Sequence, residues 1–361
     1  MENKRLYVDV HVLQTVPPSC VNRDDTGSPK TAVYGGVTRA RVSSQSWKKA
    51  IREMFKDIFP KENLGLRTKR IVGMVMEEIE RQGGFEDVEK SATAILDAAG
   101  LKIKSVEKGT DAMFFMSYPQ VKALVSLAKE NPEALAATPP AHVKKAAQLA
   151  LKSNPGIDVA LFGRMVADDP SLNTDASAQV AHAISTHKVV NEYDYFTAVD
   201  DLASEDNAGA GHLGTVEFNS ATLYRYATVA VHALREQLAG DTAAAVCGFV
   251  NAFVRSMPTG KQNTFANRTL PDAVLVTLRE DQPVNLVGAF EKAVTAGDNG
   301  YIAASAQRLT AYANNVYQDY AGEPSKSLVT GELLSDLGER MPFQQLIKAL
   351  ETALEAYGSR V

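Results

Sequence analysis

The chain has 361 residues, a formal net charge of −5, 45% hydrophobic and 22% charged residues, a globular balance with material for one large core or two smaller ones. That charge excludes generic attraction to nucleic acid, so any such activity must come from local basic surfaces. No apolar run reaches the roughly 18–20 residues of a membrane span, and two cysteines, Cys20 and Cys247, exclude a disulfide framework and a four-cysteine zinc site and fit a reducing cytoplasm.

The N-terminus reads as a strand rather than a signal peptide. Residues 5–14 alternate, with Leu6, Val8, Val10 and Val12 on one face and Tyr7, Asp9, His11 and Leu13 on the other, which predicts a half-buried strand with His11 facing the surface. A polar loop follows, carrying Asn22, Arg23, Asp24, Asp25, Gly27, Pro29 and Lys30, and then Gly35-Gly36 and a short alternating run, Thr38–Ser43. Trp47, Ala50, Ile51, Met54, Phe55 and Ile58 recur at helical spacing and predict an amphipathic helix over 44–58. Lys48, Lys49, Arg52 and Lys56 fall off its apolar stripe, and Ser43, Ser44, Gln45 and Ser46 lie at its N-terminus, where backbone N–H groups lack helical partners.

Such an N-terminus, flanked by Arg41 and Lys48, suits a phosphate through its amides, its dipole and charge-assisted hydrogen bonds. The same residues also fit a capped helix with a solvated basic face. Arg23 and Lys30 favour the phosphate reading because both could converge there. Gly35-Gly36 lacks the Gly-Lys-Ser/Thr of a nucleotide-hydrolase phosphate loop.

Residues 60–155 are dominated by helical patterns near 66–81, 86–99, 117–130 and 140–153, broken at Gly83-Gly84, Gly100, Pro132, Pro139-Pro140 and Pro155-Gly156. Strand character returns over 179–190, where His182 and His187 are five apart and would face opposite sides, so a shared metal is not expected. Tyr193, Tyr195 and Phe196 then lead into an acidic segment, Asp200, Asp201, Glu205 and Asp206, and a flexible glycine-rich tip over 207–214. These aromatics suit either core anchors or platforms for bases. Met165 suits either core filling or a wedge beside an unstacked base, with Arg164 near phosphate or ribose. A strand over 215–231, a helix over 241–257, a polar loop over 260–268 and a strand over 272–279 follow, with helices expected at 284–296, 301–320 and 343–357. The loop over 260–268 could touch RNA, a neighbouring subunit or only solvent.

Without its two insertions the chain reads β (5–14), α (44–58), β (179–190), β (215–231), α (241–257), β (272–279), an α+β chain with the ferredoxin-like βαββαβ order. The antiparallel sheet of such a unit keeps one face open, the face RNA-recognition domains use for single strands. Asp24-Asp25 and Asp200-Asp201 read as turn or capping residues before they read as a metal centre, because spacing supplies no further ligands.

Ser19–Asp25, Arg41–Ser46, Asp158–Met165, Ala181–His187, Phe196–Leu202 and His212–Thr215 stand together in an order that resembles the backbone subunit of the type I-E CRISPR Cascade complex, the CasC family of the RAMP superfamily. The likeness spans nearly the full length and is weakest over 60–150, where helical character matches rather than residues. It implies an RNA-recognition-like palm (1–59, 178–190 and 216–361), a helical fingers lobe (60–177) and a hairpin thumb (191–215). It also implies copies stacked head to tail along one CRISPR RNA in an open helical filament, gripping its backbone and kinking it at intervals so that exposed stretches pair with target DNA. Further partners would be the large, small, guide-end-capping and guide-processing subunits, with no cofactor, no membrane and no catalytic role. By the same likeness Arg23, Lys30, Arg41, Ser43, Gln45, Lys48 and Arg52 would hold phosphate and ribose, Met165 would wedge beside a displaced nucleotide, and Tyr195, Phe196 and Thr197 would form the thumb contact. Tyr195 stands where the best-known relative has tryptophan, which reduces its stacking area, and Arg52 stands where that relative carries lysine, which keeps the charge. The alternative is a metal-dependent RNase using Asp24 or Asp25, as in related type III subunits. A metabolic enzyme on the same scaffold has no constellation to support it.

Overall fold

Apolar periodicity sets the order of elements, and a computed structural model describes residues 5–166, 169–198 and 212–358. The chain begins with β1 (Tyr7–Ser19), β2 (Thr31–Tyr34), β3 (Val37–Val42) and α1 (Ser44–Ile58). Next come β4 (Gly65–Thr68), α2 (Ile71–Gln82), α3 (Val88–Ala98), β5 (Phe114–Ser117), α4 (Tyr118–Glu130), α5 (Ala141–Lys152) and α6 (Ile157–Phe162). Strands β6 (Ala178–Val180), β7 (Ala183–Ser185), β8 (Glu192–Ala198) and β9 (His212–Ala230) lead to α7 (Val231–Leu238), α8 (Thr242–Arg255) and α9 (Gln262–Phe265). The chain closes with β10 (Ala273–Arg279), α10 (Ile302–Val316), β11 (Lys326–Thr330), β12 (Glu339–Arg340) and α11 (Phe343–Gly358).

These elements divide between two units, one of residues 1–51, 180–228 and 250–361 and the other of residues 52–179 and 229–249. The first holds a large mixed sheet in the order β12-β11-β10-β1-β9-β7-β3-β2, with β6 and β8 also pairing with β9. β1 runs antiparallel to β10 with Val10 opposite Val276, and β10 antiparallel to β11 with Leu275 opposite Val329. The parallel pairing of β12 with β11 makes the sheet mixed.

The sheet does not present an open face at its centre. Val8, Val10 and Val12 are buried, and so are Asp9, His11 and Leu13 on the other side of β1. One face packs Tyr224, Tyr226 and Leu275 against Phe290, Leu309 and Ala313, bringing the 286–290 turn and α10 onto the sheet. On the other face the Arg225 guanidinium stacks 3.7 Å from the Trp47 ring of α1 and 4.6 Å from the Phe253 ring of α8. β1 is therefore central and, over Val8–Gln14, buried on both faces rather than half-buried. His11 lies inside, where burial lowers its pKa to about 3 and its Nδ1 meets the Tyr224 hydroxyl at 2.9 Å. The neighbouring strand β9 carries Thr222, Arg225 and Thr228 within its two alternating sets, all of them buried, so it lacks the continuous apolar run that would mark a sheet covered on both sides.

Other boundaries also differ from expectation. The helix expected at 284–296 is only a 3₁₀ turn, Leu286–Phe290, with the Asn285 side chain accepting from the Val287 N–H at its start. A side chain at Gly288 would meet the Tyr312 hydroxyl at 2.2 Å, so the turn packs closely on the Tyr312 ring of α10. The strand expected over 179–190 is two short pieces, β6 and β7. The helical pattern assigned from 66 begins instead with β4, which pairs with β5, Leu66 opposite Met116.

The second unit forms around one apolar cluster. Ile71, Val75 and Ile79 of α2, Ile95 and Leu96 of α3, Leu124 and Val125 of α4, and Val143 and Leu151 of α5 meet there. The spacing of four in α2 and of eight in α5 puts each of those sets on one stripe, and the adjacent pairs in α3 and α4 widen theirs. Ser117 and Gln120 start α4 with a reciprocal capping box. No helix among the described residues is long and apolar enough to cross a membrane.

Candidate nucleic-acid interface

The loop after β1 folds because its short polar side chains satisfy its own backbone. The Asp24 carboxylate accepts from the Thr26 N–H (3.0 Å), the Thr26 hydroxyl (2.7 Å) and the Ser28 N–H (3.0 Å), and these bonds hold its pKa below the usual range. Gly27 takes a left-handed φ of +91° at the tip. Asp24 is thus a turn former, and among the described residues no three His, Cys, Asp or Glu side chains are grouped to hold a metal.

The loop is tied to the start of α1. Asn22 Oδ1 accepts the Ser43 N–H at 2.9 Å, and Ser43 Oγ accepts the Ser46 N–H at 3.3 Å as the helix cap. Ser43 is itself buried, so its hydroxyl holds the helix start rather than lying open to a ligand. The Lys30 N–H bonds to the Asn22 carbonyl at 2.8 Å and the Arg41 N–H to the Lys30 carbonyl at 2.9 Å, which places these two cations side by side. Arg41 is further fixed by Nε donating to the Thr31 carbonyl at 3.1 Å and by a guanidinium N–H donating to His182 Nδ1 at 3.2 Å. Burial and the charges of Arg41 and Lys30 keep His182 below its ordinary pKa, so a neutral ring accepts that bond.

Lys30, Arg41 and Asn22 line one small concavity, floored by Val42, Ala221 and Leu223. Its volume is only about 20 Å³, room for a water-sized or phosphate-oxygen group but not for a base. Arg23 and Gln45 are exposed nearby in sequence. Lys48 is half-buried, and desolvation lowers its ammonium pKa.

A cation that the site assignment had left out joins this group. A side chain at Gly260 would meet the Val21 carbonyl at 2.1 Å, so the 259–268 loop lies directly on the loop that follows β1. Lys261 follows with a left-handed φ of +44°, and its charge acts on Cys20 together with that of Arg23. The polarity of this loop was visible in the sequence. Its position was not, because that depends on a contact some 240 residues apart.

The remaining candidates sit elsewhere. Arg52 belongs to the second unit, donates to Asp158 at 3.2 Å and lies 4.4 Å from the Phe115 ring. Arg164, expected near phosphate or ribose, is 5% exposed. It donates to the carbonyls of Leu172 (3.0 Å), Phe115 (3.0 Å) and Leu151 (2.8 Å) and to Gln120 Oε1 (3.2 Å), and burial lowers its pKa to about 10. It organises the second unit from within, which corrects the expected role. Met165 beside it is 85% exposed and fills no core.

Tyr195, Phe196 and Thr197 lie on β8, paired with Thr215, Gly214 and Leu213 of β9. Alternation puts Tyr193, Tyr195 and Thr197 on one side and Phe196 on the other. Tyr195 is 64% exposed, while the half-exposed Phe196 ring covers Gly214, where an added side chain would meet it at 2.3 Å. The acidic residues and most of the glycine-rich tip expected between the two strands lie outside the described residues. His187 is buried. Its Nδ1 donates to the Lys188 carbonyl (2.8 Å), its Nε2 accepts the Thr222 N–H (3.1 Å), and its ring stacks on Tyr301 at 3.6 Å, a structural role.

Comparison with curated protein sequences finds no significant match. Among solved structures, a chain of a "CRISPR RNA-guided surveillance complex, pre-nicking" is 35% identical, with a TM-score of 0.82 over 96% of this chain and 100% of that one. A chain of a "CRISPR RNA-guided surveillance complex" is 31% identical, with a TM-score of 0.63 over 96% of this chain and 99% of that one. The model of the CT1975-like protein family matches residues 8–352. The chain belongs to the CT1975-like family.

Proposed function

We propose that the protein is a non-catalytic backbone subunit of a type I-E Cascade complex that binds CRISPR RNA through its phosphates. The observation that carries this reading is the juxtaposition of Lys30 and Arg41 in a concavity too small for a base, beside a capped helix start. Cations fixed by backbone hydrogen bonds, with no base-sized recess between them, grip a strand without reading its sequence. Likeness to chains of RNA-guided surveillance complexes supports the same reading. The adjacent strands β10-β1-β9-β7 agree with an RNA-recognition-like palm whose faces are covered, so binding runs along the loop and helix start instead of across the sheet.

In this account Arg23, Lys30, Arg41, Gln45 and Lys48 contact phosphate and ribose, and Ser43 and Asn22 fix the helix start. Met165 wedges beside a displaced nucleotide, and Tyr195, Phe196 and Thr197 press on the strand from a thumb hairpin. Arg52 acts mainly through Asp158. Copies stack along one cytoplasmic guide with the large, small, guide-end-capping and guide-processing subunits, leaving segments free to pair with target DNA. No observation favours an RNase built on Asp24 and Asp25. Expression with and without a CRISPR array and partner subunits tests the proposal. A large particle holding one guide-length RNA, intact after incubation with magnesium, is expected; a nucleic-acid-free monomer with all partners present would contradict it.

A further inference from the structure

The second unit contains a cavity of about 450 Å³, within the range of small-ligand sites, about 300–1,000 Å³. It is distinct from the concavity at Lys30 and Arg41, whose lining belongs wholly to the first unit. Pro60 leads into a single 3₁₀ turn, Lys61–Asn63, and β4 follows. This puts Lys61 and Arg67 on the cavity wall with Leu64, Leu66 and Tyr118.

Charge in the cavity is unbalanced in one direction. Its two acids are already engaged, Glu53 with Lys56 at 2.5 Å and the buried Asp158 with Arg52 at 3.2 Å. Asp158 Oδ1 also accepts the Gly65 N–H at 2.8 Å, which fixes that wall. Among the described residues neither Lys61 nor Arg67 has a carboxylate within 4 Å. The Lys61 ammonium instead lies 4.8 Å from the Tyr118 ring centroid. An exposed cation pair beside leucine and tyrosine walls suits a ligand with a dianionic end and a flat apolar body.

We propose that this cavity binds a phosphorylated nucleoside, either free or as one residue of a strand. Lys61 and Arg67 hold its phosphate, and Leu64, Leu66 and Tyr118 receive its base. A volume that fits one nucleotide favours this over an extended acidic peptide, which would need a groove.

Fluorescently labelled AMP and a labelled six-nucleotide single strand, titrated separately, test it. The proteins compared are wild type, Lys61→Ala/Arg67→Ala, Arg41→Ala, and Lys144→Ala/Lys145→Ala as a charge-matched control on exposed positions of α5. All four cavity and control positions are exposed, so folding is not at risk. A tenfold or greater loss of AMP binding only in the cavity variant supports a free nucleotide. A comparable loss confined to the six-nucleotide strand, again beyond the control, supports a strand residue. Unchanged binding of both probes, or a loss equalled by the control, overturns the proposal. Loss of strand binding in Arg41→Ala alone leaves the phosphate grip standing and removes the cavity from the account.

Discussion

Residues 22–43 and 157–165 each place a cation near a helix end, and they use it in opposite ways. At Arg41 the guanidinium spends part of its hydrogen bonding on the Thr31 carbonyl and His182 and stays half-exposed beside Lys30. At Arg164 the guanidinium turns inward onto three carbonyls and Gln120, while the apolar Met165 next to it stands in solvent. Polar character therefore does not locate the binding surface. What separates the two is whether backbone carbonyls already absorb the donors.

The comparison can be broken or sharpened by substitution. Arg164→Ala should have the largest effect, about 3 kcal/mol or more of lost stability, because it leaves several buried carbonyls without donors. Denaturant melts would show it as a lower midpoint, and a change under about 1 kcal/mol would contradict the structural role. Met165→Ala should leave stability within about 0.5 kcal/mol and should instead reduce the distortion of a bound strand, read by the fluorescence of a base analogue. An unchanged fluorescence signal would remove Met165 from the contact. Arg41→Ala should weaken strand binding without changing which guide is bound, and reduce the slope of log K against log salt by about 0.7. Lys261→Ala should give a slope change of at most the same size, about 0.7, and no change at all would detach the 259–268 loop from the grip.

The helices were legible where apolar spacing was strong. Trp47, Ile51 and Phe55 are all 0% exposed, and α1 spans the expected residues. The helical insertion was visible too, although β4 and β5 were not, since four-residue strands carry too little periodicity to separate from a helix start. The covered sheet was misread because Asp9, His11 and Arg225 look like surface residues. Asp9 is satisfied inside by the Tyr226 hydroxyl (2.9 Å) and the Val284 N–H (2.8 Å), and its pKa is raised to about 6 by burial. Partners more than 200 residues away decide such cases, and no local pattern reports them. The same holds at the candidate site: the cations near α1 could be read from the sequence, whereas the Arg52–Asp158 pair and the approach of Lys261 required the fold.

The account's central claim is that fixed cations hold a strand by its phosphates. Its most direct test is the salt dependence of single-strand binding by the purified protein. With Arg23, Lys30, Arg41, Lys48 and Lys261 engaged, log K against log salt should fall with a slope of about −3.5 per subunit. A slope near zero would contradict the grip.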